Sequence, residues 1–138
     1  MSKKTPKHPY WMSAFKAQML DKPSVVDEPY CAVCGKPATN KHHVIPKGMG
    51  GVSAELEKRI PKIRLCGMGN ADGCHGDVHA KLLHLYWDDD YCGGSWMMYR
   101  SIQPVDDKLC WELRHDEYTV LPGWYMQQLY GKPIGGSK

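Results

Sequence analysis

The stretch Cys66-Gly-Met-Gly-Asn-Ala-Asp-Gly-Cys74-His75-Gly-Asp-Val-His79 decides the fold, because it joins a glycine-rich loop between two thiols to a pair of histidines. The loop residues do not favour a regular element. The apolar spacing that follows them predicts a helix over residues 75–86. On that helix His75 and His79 lie one turn apart on the same face, where they can chelate a single ion.

A second pair of thiols lies upstream in Cys31-Ala-Val-Cys34-Gly35, a pattern typical of a zinc knuckle. A structural zinc ion usually takes four ligands in a tetrahedron, so Cys66 and Cys74 are expected to complete the site. Free buried thiols and a disulfide are the alternatives. The two remaining cysteines, Cys92 and Cys110, have no partners at ligand spacing and are expected to be ordinary buried thiols.

The adjacent residues His42 and His43 belong to a predicted strand over residues 38–45. A short helix over 53–59 and a second strand over 60–65 are expected to follow it. Neighbouring side chains on a strand point to opposite faces, so the two histidines suit two tasks, one as a metal ligand and one as a general base. A neutral imidazole can take a proton from water at physiological pH.

Three segments are expected along the chain. Residues 1–29 are interpreted as a basic N-terminal arm and linker with few apolar positions to bury, containing at most a short helix over 11–20. Residues 30–86 contain the cysteine and histidine motifs and form the core. Residues 87–138 form a β-rich C-terminal extension with a predicted hairpin over 109–121. The predicted class is therefore a small α+β protein with an irregular N-terminal arm and a β-rich C-terminal extension.

The 138 residues carry a net charge of +3, which by itself says little about nucleic acid. Cations are concentrated in the first 22 residues and over residues 41–64, and solubility is the alternative explanation for them. The N-terminus lacks the apolar run of a signal peptide, and no stretch has the length and apolar character of a membrane span. These features predict a cytoplasmic chain with no membrane partner, where a Cys-x2-Cys pair favours zinc over a disulfide.

As an ordered set, these motifs resemble the HNH endonuclease family, whose core is the ββα-metal fold. The matching stretches are Cys31-Ala-Val-Cys34, Lys41-His-His-Val-Ile-Pro-Lys-Gly-Met-Gly-Gly51, Leu65-Cys-Gly67 and Gly73-Cys-His-Gly-Asp-Val-His79. They cover residues 30–86, and the flanks carry none of the resemblance. The pattern is similar to that of HNH proteins common in phages and bacterial genomes, which implies a bacterial or phage-encoded chain.

Carried over by position, the resemblance implies that His43 is the general base. It implies a divalent catalytic ion (Mg²⁺, Mn²⁺, Ni²⁺ or Zn²⁺) on the three remaining histidines of the motif, which are His42, His75 and His79. A separate structural zinc would occupy the four cysteines. The core would be a ββα-metal unit stapled by that zinc site.

DNA is the substrate that the resemblance implies, with Lys41, Lys47 and Arg64 as the expected phosphate contacts. Such contacts position the duplex and specify little sequence. The protein would act as a monomer or a homodimer. A phage packaging or recombination partner is suggested by the resemblance alone.

The chain departs from the family pattern at the middle asparagine, whose position is occupied by Pro61. Proline has no side chain that steadies the loop or orients the base, and Asn70 is the candidate substitute for this catalytic asparagine. The departure favours the main alternative, a weakly active or inactive zinc-stabilised DNA-binding module. An RNA-binding or protein-interaction zinc domain is a third interpretation, which the lack of interleaved aromatic residues in the central region disfavours.

Overall fold

The computed structural model describes residues 12–45, 54–69 and 71–131. In these ranges the chain is a small mixed α+β protein with two antiparallel sheets, as its predicted class requires. Its buried apolar side chains form one cluster, whose members extend along the chain from Met12 to Trp124. None of the described helices has the length and apolar character needed to cross a bilayer.

The helices and strands are short. In chain order they are α1 (Ala14–Ala17), β1 (Asn40–His43), α2 (Ala54–Arg59), β2 (Lys62–Leu65), α3 (Gly73–His79), β3 (Leu83–Asp88), β4 (Ser95–Arg100), α4 (Asp107–Arg114), β5 (Thr119–Val120) and α5 (Pro122–Met126). A 3₁₀ turn (His115–Glu117) follows α4, and a π-helical turn (Gln127–Gly131) follows α5.

The first sheet pairs β1 with β2 in antiparallel register, so that His42 lies opposite Ile63 and His43 lies opposite Lys62. Directly paired residues share a face of the sheet, and successive residues alternate between faces. The face of His42 turns towards the interior, where Ile63 and Leu65 are fully buried. The opposite face carries His43 and charged side chains.

The predicted strands over 38–45 and 60–65 and the helix that ends at Arg59 are confirmed with shorter bounds. Ser53, where the predicted helix starts, lies outside the described residues. Glu55 and Glu57 occupy the first turn of α2, where negative charge is favourable to the helix dipole. The helix thus places a carboxylate next to the outer face of the first sheet.

The second sheet has β4 at its centre, with β3 and β5 as antiparallel neighbours. Trp87 and Trp96 are cross-strand partners whose rings meet edge to face at 5.5 Å, and Trp124 of α5 packs on Trp87. Cys110 of α4 is buried as predicted, whereas Cys92 is exposed in the turn between β3 and β4, which contradicts its prediction. The aromatic cluster anchors the C-terminal third of the described chain to the core.

The helix predicted over 75–86 is wrong in its second half, because α3 ends at His79 and β3 begins at Leu83. Lys81 has a φ of 66°, a left-handed conformation that typically follows the last turn of a helix. The segment beyond it is apolar and aromatic and pairs with β4 over its whole length. Long-range strand pairing overrides the helical spacing of the apolar residues.

The hairpin predicted over 109–121 is also wrong. Residues Asp107–Arg114 form α4, and the Asp106 side chain caps this helix by accepting the N–H groups of Lys108 and Leu109. Residues 119–120 do form a strand, but it pairs with β4 rather than with residues 109–113. Over residues 87–131, which the structure describes, the C-terminal segment is therefore mixed in structure and not β-rich.

The expected N-terminal arm is wrong for residues 12–29, which pack into the core. Phe15 and Met19 lie one turn apart and are buried, as is Val25. The indole Nε1 of Trp96 donates to the carbonyl oxygen of Pro23 at 2.7 Å. Full burial of each such apolar side chain contributes about 2 kcal/mol, which favours packing of the segment onto the fold.

Candidate metal centres

Four cysteine thiols meet beside the first sheet, and all four are free. The Sγ atoms of Cys31, Cys34, Cys66 and Cys74 lie within 4.8 Å of one another, and those of Cys34 and Cys66 are 3.6 Å apart. A disulfide requires about 2.05 Å. Two thiolates held at about 2.3 Å by one tetrahedral zinc ion lie about 3.8 Å apart. The cluster therefore fits a structural zinc or another thiolate-binding metal.

Backbone amides hold two of these sulfurs in place. The N–H of Val33 donates to Cys31 Sγ, and the N–H of Cys74 donates to Cys66 Sγ, both at 3.4 Å. Burial opposes the ionisation of Cys31, but hydrogen bonds from the backbone at Cys34 and Val33 outweigh it and lower the pKa of this thiol. The knuckle turn thus prepares one thiolate ligand.

The pKa values of two other thiols in the cluster move in the opposite direction. Burial raises the pKa of Cys34 and of Cys74, and the neighbouring sulfur groups raise both further. Four thiolates this close together repel one another unless a cation lies between them. A divalent ion on the deprotonated thiols would stabilise the fold at the same time.

The loop between the two downstream cysteines folds back on itself at two glycines. Gly67 and Gly73 have φ values of 117° and 63°, and a Cβ on Gly73 would lie 2.6 Å from the Cα of Gly67. The side chains of Thr39 and Asn40 both donate to the carbonyl oxygen of Gly67. These bonds tie the thiol loop to β1.

A second cluster brings His42 of β1 together with His75 and His79 of α3. One ring nitrogen from each lies within 4.8 Å of the others, and the Nε2 atoms of His75 and His79 are 3.3 Å apart. Two nitrogens at about 2.1 Å from one tetrahedral ion lie about 3.4 Å apart. Three imidazoles leave a coordination position open, which is typical of catalytic rather than structural sites.

Hydrogen bonding and burial prepare these imidazoles for metal binding. Nδ1 of His75 donates to the carbonyl oxygen of Gly69 at 2.7 Å, which leaves Nε2 directed at the cluster. Burial, together with the nearby charges of His75 and His79, lowers the pKa of His42 to about 3. Burial also lowers the pKa of His79. His42 and His79 are therefore neutral at pH 7 and bind a cation without first losing a proton.

His43 lies on the opposite face of β1 from His42, as the alternation along a strand predicts. Its Nε2 atom lies 3.6 Å from Oε2 of Glu57 on α2. Lys41 and Arg64 are cross-strand partners on the same face. Sequence reasoning missed Glu57, because its contact with His43 depends on how α2 packs on the sheet. The one available signal was an acidic residue on the helix between the two strands.

Two predicted site residues, Asn70 and Lys47, lie outside the described residues. Pro61, at the position of the expected middle asparagine, is buried, and its carbonyl oxygen accepts the N–H of Val44 at 3.1 Å. It thereby extends the ladder between β1 and β2 through its backbone. Arg64 lies on β2, and its Nε donates to the carbonyl oxygen of residue 26 at 3.1 Å.

Comparisons with protein-family models, with curated proteins and with solved structures found no match to this chain. The geometry of the two clusters and of the surface around them is therefore the basis for assigning a function.

Proposed function

We propose that the protein is a metal-dependent endonuclease of the HNH type that hydrolyses DNA phosphodiester bonds. The observation that carries the proposal is the convergence of His42, His75 and His79 at one point between a strand and a helix. A two-stranded antiparallel sheet followed by a helix, with a cation site between them, is the arrangement of a ββα-metal core. In this proposal the core consists of β1, β2 and α3, and zinc bound to the four cysteines holds these elements together.

The three imidazoles would hold the catalytic cation. When bound, a divalent ion supplies charge neutralisation at the scissile phosphate and stabilisation of the leaving 3′ oxygen. His79 is the exposed member of the cluster, so a substrate would approach the bound ion from the side of His79. His42 and His75 anchor the site to the strand and to the first turn of α3.

His43 is assigned the role of general base. It follows His42 directly on β1, so the two Cα atoms are about 3.8 Å apart although the side chains diverge. A neutral imidazole there removes a proton from the attacking water, a contribution of about 10²–10⁴-fold in rate. The nearby carboxylate of Glu57 would orient the ring and stabilise the imidazolium that forms.

Unpaired positive charge supports DNA as the substrate. Of the twelve lysines and arginines in the described ranges, seven have an ion-pair partner within 4.0 Å. The five without one are Lys36, Lys41, Lys58, Lys62 and Arg64. Three of these, Lys41, Lys62 and Arg64, share the face of His43. Cations on such a face suit a phosphate backbone, which contributes affinity without specifying sequence.

The second candidate is a zinc-stabilised DNA-binding module without turnover. Pro61 favours it, because no side-chain amide stands at the position of the expected middle asparagine. Both candidates predict DNA binding through the face of the first sheet that carries Lys41, Lys62 and Arg64, here called the basic face. They differ only in cleavage, so a cleavage assay separates them.

Nicking of a supercoiled plasmid with Mg²⁺, Mn²⁺, Ni²⁺ and Zn²⁺ tests the proposal on wild type, His79→Ala and His115→Ala. Both histidines are exposed near a helix end, but only His79 belongs to the cluster. We expect wild type and His115→Ala to cut and His79→Ala to lose most activity while still binding DNA. A wild type that binds DNA and stays inert with every cation would support the binding module. Cleavage by His79→Ala at the wild-type rate would rule out the three-histidine site.

A further inference from the structure

The cysteine cluster has one contact that the zinc knuckle pattern does not contain. Arg100, the last residue of β4, directs its guanidinium group at α3. Its Nη2 donates to Cys74 Sγ at 3.3 Å, and its Nη1 donates to Oδ2 of Asp77 at 2.8 Å. The second sheet is thereby connected directly to a candidate metal ligand.

The geometry of this contact fits the planar shape of a guanidinium group. Cys74 and Asp77 are three residues apart on α3, so their side chains lie on one face of the helix. Arg100 is held opposite Leu83, which is fully buried, so the backbone that carries the guanidinium is fixed. Two parallel N–H groups therefore reach two acceptors from one anchored strand end.

The charge of the cluster gives this contact its significance. Four thiolates around one divalent ion leave a net charge of about −2. Of the cationic side chains that the structure describes, Arg100 is the one that donates a hydrogen bond to a cluster sulfur. A charge-assisted hydrogen bond withdraws electron density from the thiolate and offsets part of the net charge. Partners of this kind orient the ligands and tune metal affinity.

We propose that Arg100 is a positioning residue of the four-cysteine centre, through which the second sheet stabilises bound zinc. The residue orients Cys74 and neutralises part of the charge of the cluster. Conversely, zinc at the centre keeps the end of β4 docked on α3. This inference rests on zinc at the four cysteines and is independent of the proposed nuclease activity.

An ordinary surface ion pair between Arg100 and Asp77 is the competing explanation. The two side chains are 44% and 40% exposed, which is typical of pairs that contribute little. In that case the contact with Cys74 is incidental, and removing the guanidinium leaves the metal affinity unchanged. Metal affinity, rather than stability, therefore distinguishes the two explanations.

Arg114 provides a matched control. It forms an ion pair with Glu117 at 2.9 Å, its side chain is 54% exposed, and it donates no hydrogen bond to the four clustered cysteines. The affinity for zinc is measured on folded protein by competition with a chromogenic chelator in wild type, Arg100→Met and Arg114→Met. The absorption of Co²⁺ substituted into the same site reports whether tetrahedral thiolate coordination persists.

We expect Arg100→Met to bind zinc about 10–100-fold more weakly, the usual effect of losing such a partner, and Arg114→Met to stay within about twofold of wild type. Arg100→Lys is the second variant, for the case that Arg100→Met does not fold. It keeps the charge but not the paired donors, and we expect an intermediate loss of affinity. Wild-type zinc affinity in Arg100→Met, or in Arg100→Lys if that is the variant that folds, would overturn the proposal. A wild type that binds no zinc would contradict the metal centre itself.

Discussion

His75 and His79 present their Nε2 atoms to each other at 3.3 Å, one turn apart on α3. Only one of two facing imidazole nitrogens can donate to the other, whereas both can bind one cation. His42 approaches the same point from β1, with its ring centroid 5.0 Å from that of His75. The three histidines and the four cysteines share no residue, so the ligands of the two candidate sites can be substituted separately.

Loss of one thiol is expected to remove the structural metal. Cys66→Ser should lower the zinc content by about one ion per chain, because three thiolates no longer complete the tetrahedron. The free energy of unfolding should fall by about 4 kcal/mol or more in buffer with zinc at about 1,000 times its Kd. Zinc analysis and chemical denaturation measure both effects. Cys92→Ser, at an exposed thiol outside the cluster, serves as the control and should change neither quantity.

The glycine turn predicts a contrast between two alanine substitutions. Gly73 and Gly93 both have positive φ values, 63° and 81°, but only Gly73 has atoms within 4 Å of its would-be Cβ. Gly93→Ala should therefore cost only the backbone strain of a left-handed residue, about 1–2 kcal/mol. Gly73→Ala should displace the thiol loop and also weaken zinc binding. Equal zinc affinity in the two variants would contradict the close approach at Gly73.

The largely buried carboxylate of Asp107 predicts the acid sensitivity of the fold. Nδ1 of His84, which is 1% exposed, lies 2.7 Å from Oδ1 of Asp107, and Lys16 Nζ lies 2.9 Å from the other carboxylate oxygen. Burial raises the pKa of Asp107, but the His84 hydrogen bond and the charges of Lys16 and Lys81 outweigh it and hold the pKa well below its usual range. A lowered carboxyl pKa stabilises the fold above the unfolded value of about 3.9, and this contribution disappears as the pH falls below that value.

Asp107→Asn should therefore destabilise the protein by about 3 kcal/mol at pH 7, because Lys16 loses its counter-charge and His84 loses its carboxylate partner. The difference from wild type should shrink as the pH falls from about 4 towards 2. Unfolding curves at several pH values measure this. Glu117→Gln removes a pair that is more than half exposed and should change the stability by less than about 1 kcal/mol. A constant difference across the pH range would show that the ion pair is not the cause.

The basic face predicts a salt-dependent effect on DNA affinity. Lys41→Ala and Lys62→Ala should each weaken binding to duplexes of any sequence. Each should also reduce the slope of log affinity against log salt concentration by about 0.9 in magnitude, because one fewer counterion is released. Fluorescence anisotropy over a range of salt measures both. Arg114→Ala, which removes a paired cation elsewhere, should leave the slope unchanged; a similar loss of slope would refute a localised face.

The local parts of the two sites could be predicted from the sequence. The short spacing of Cys31 and Cys34, and the one-turn spacing of His75 and His79, fix geometry through the backbone alone. The alternation along β1 also predicted correctly that His42 and His43 diverge. In each case the partners are a few residues apart, so no tertiary information is required.

Contacts between distant segments could not be predicted in the same way. The contact between Arg100 and Cys74 depends on the pairing of β3 with β4. The sequence did not predict this pairing, because the apolar residues after His79 have the spacing of a helix. The alternating residues 109–113 also fit one face of a helix, and the cap at Asp106 decides between the two structures. The strand after His79 is thus fixed by tertiary pairing, whereas the helix after Asp106 is fixed by a local cap.

The central claim is that His43 activates the water that cleaves DNA, and single-turnover nicking of a supercoiled plasmid tests it most directly. His43→Ala and wild type are compared with the same divalent ion, and DNA affinity is measured on the same preparations. We predict that His43→Ala binds DNA as wild type does but cuts about 10²–10⁴-fold more slowly. Equal cleavage rates for the two proteins would contradict the claim.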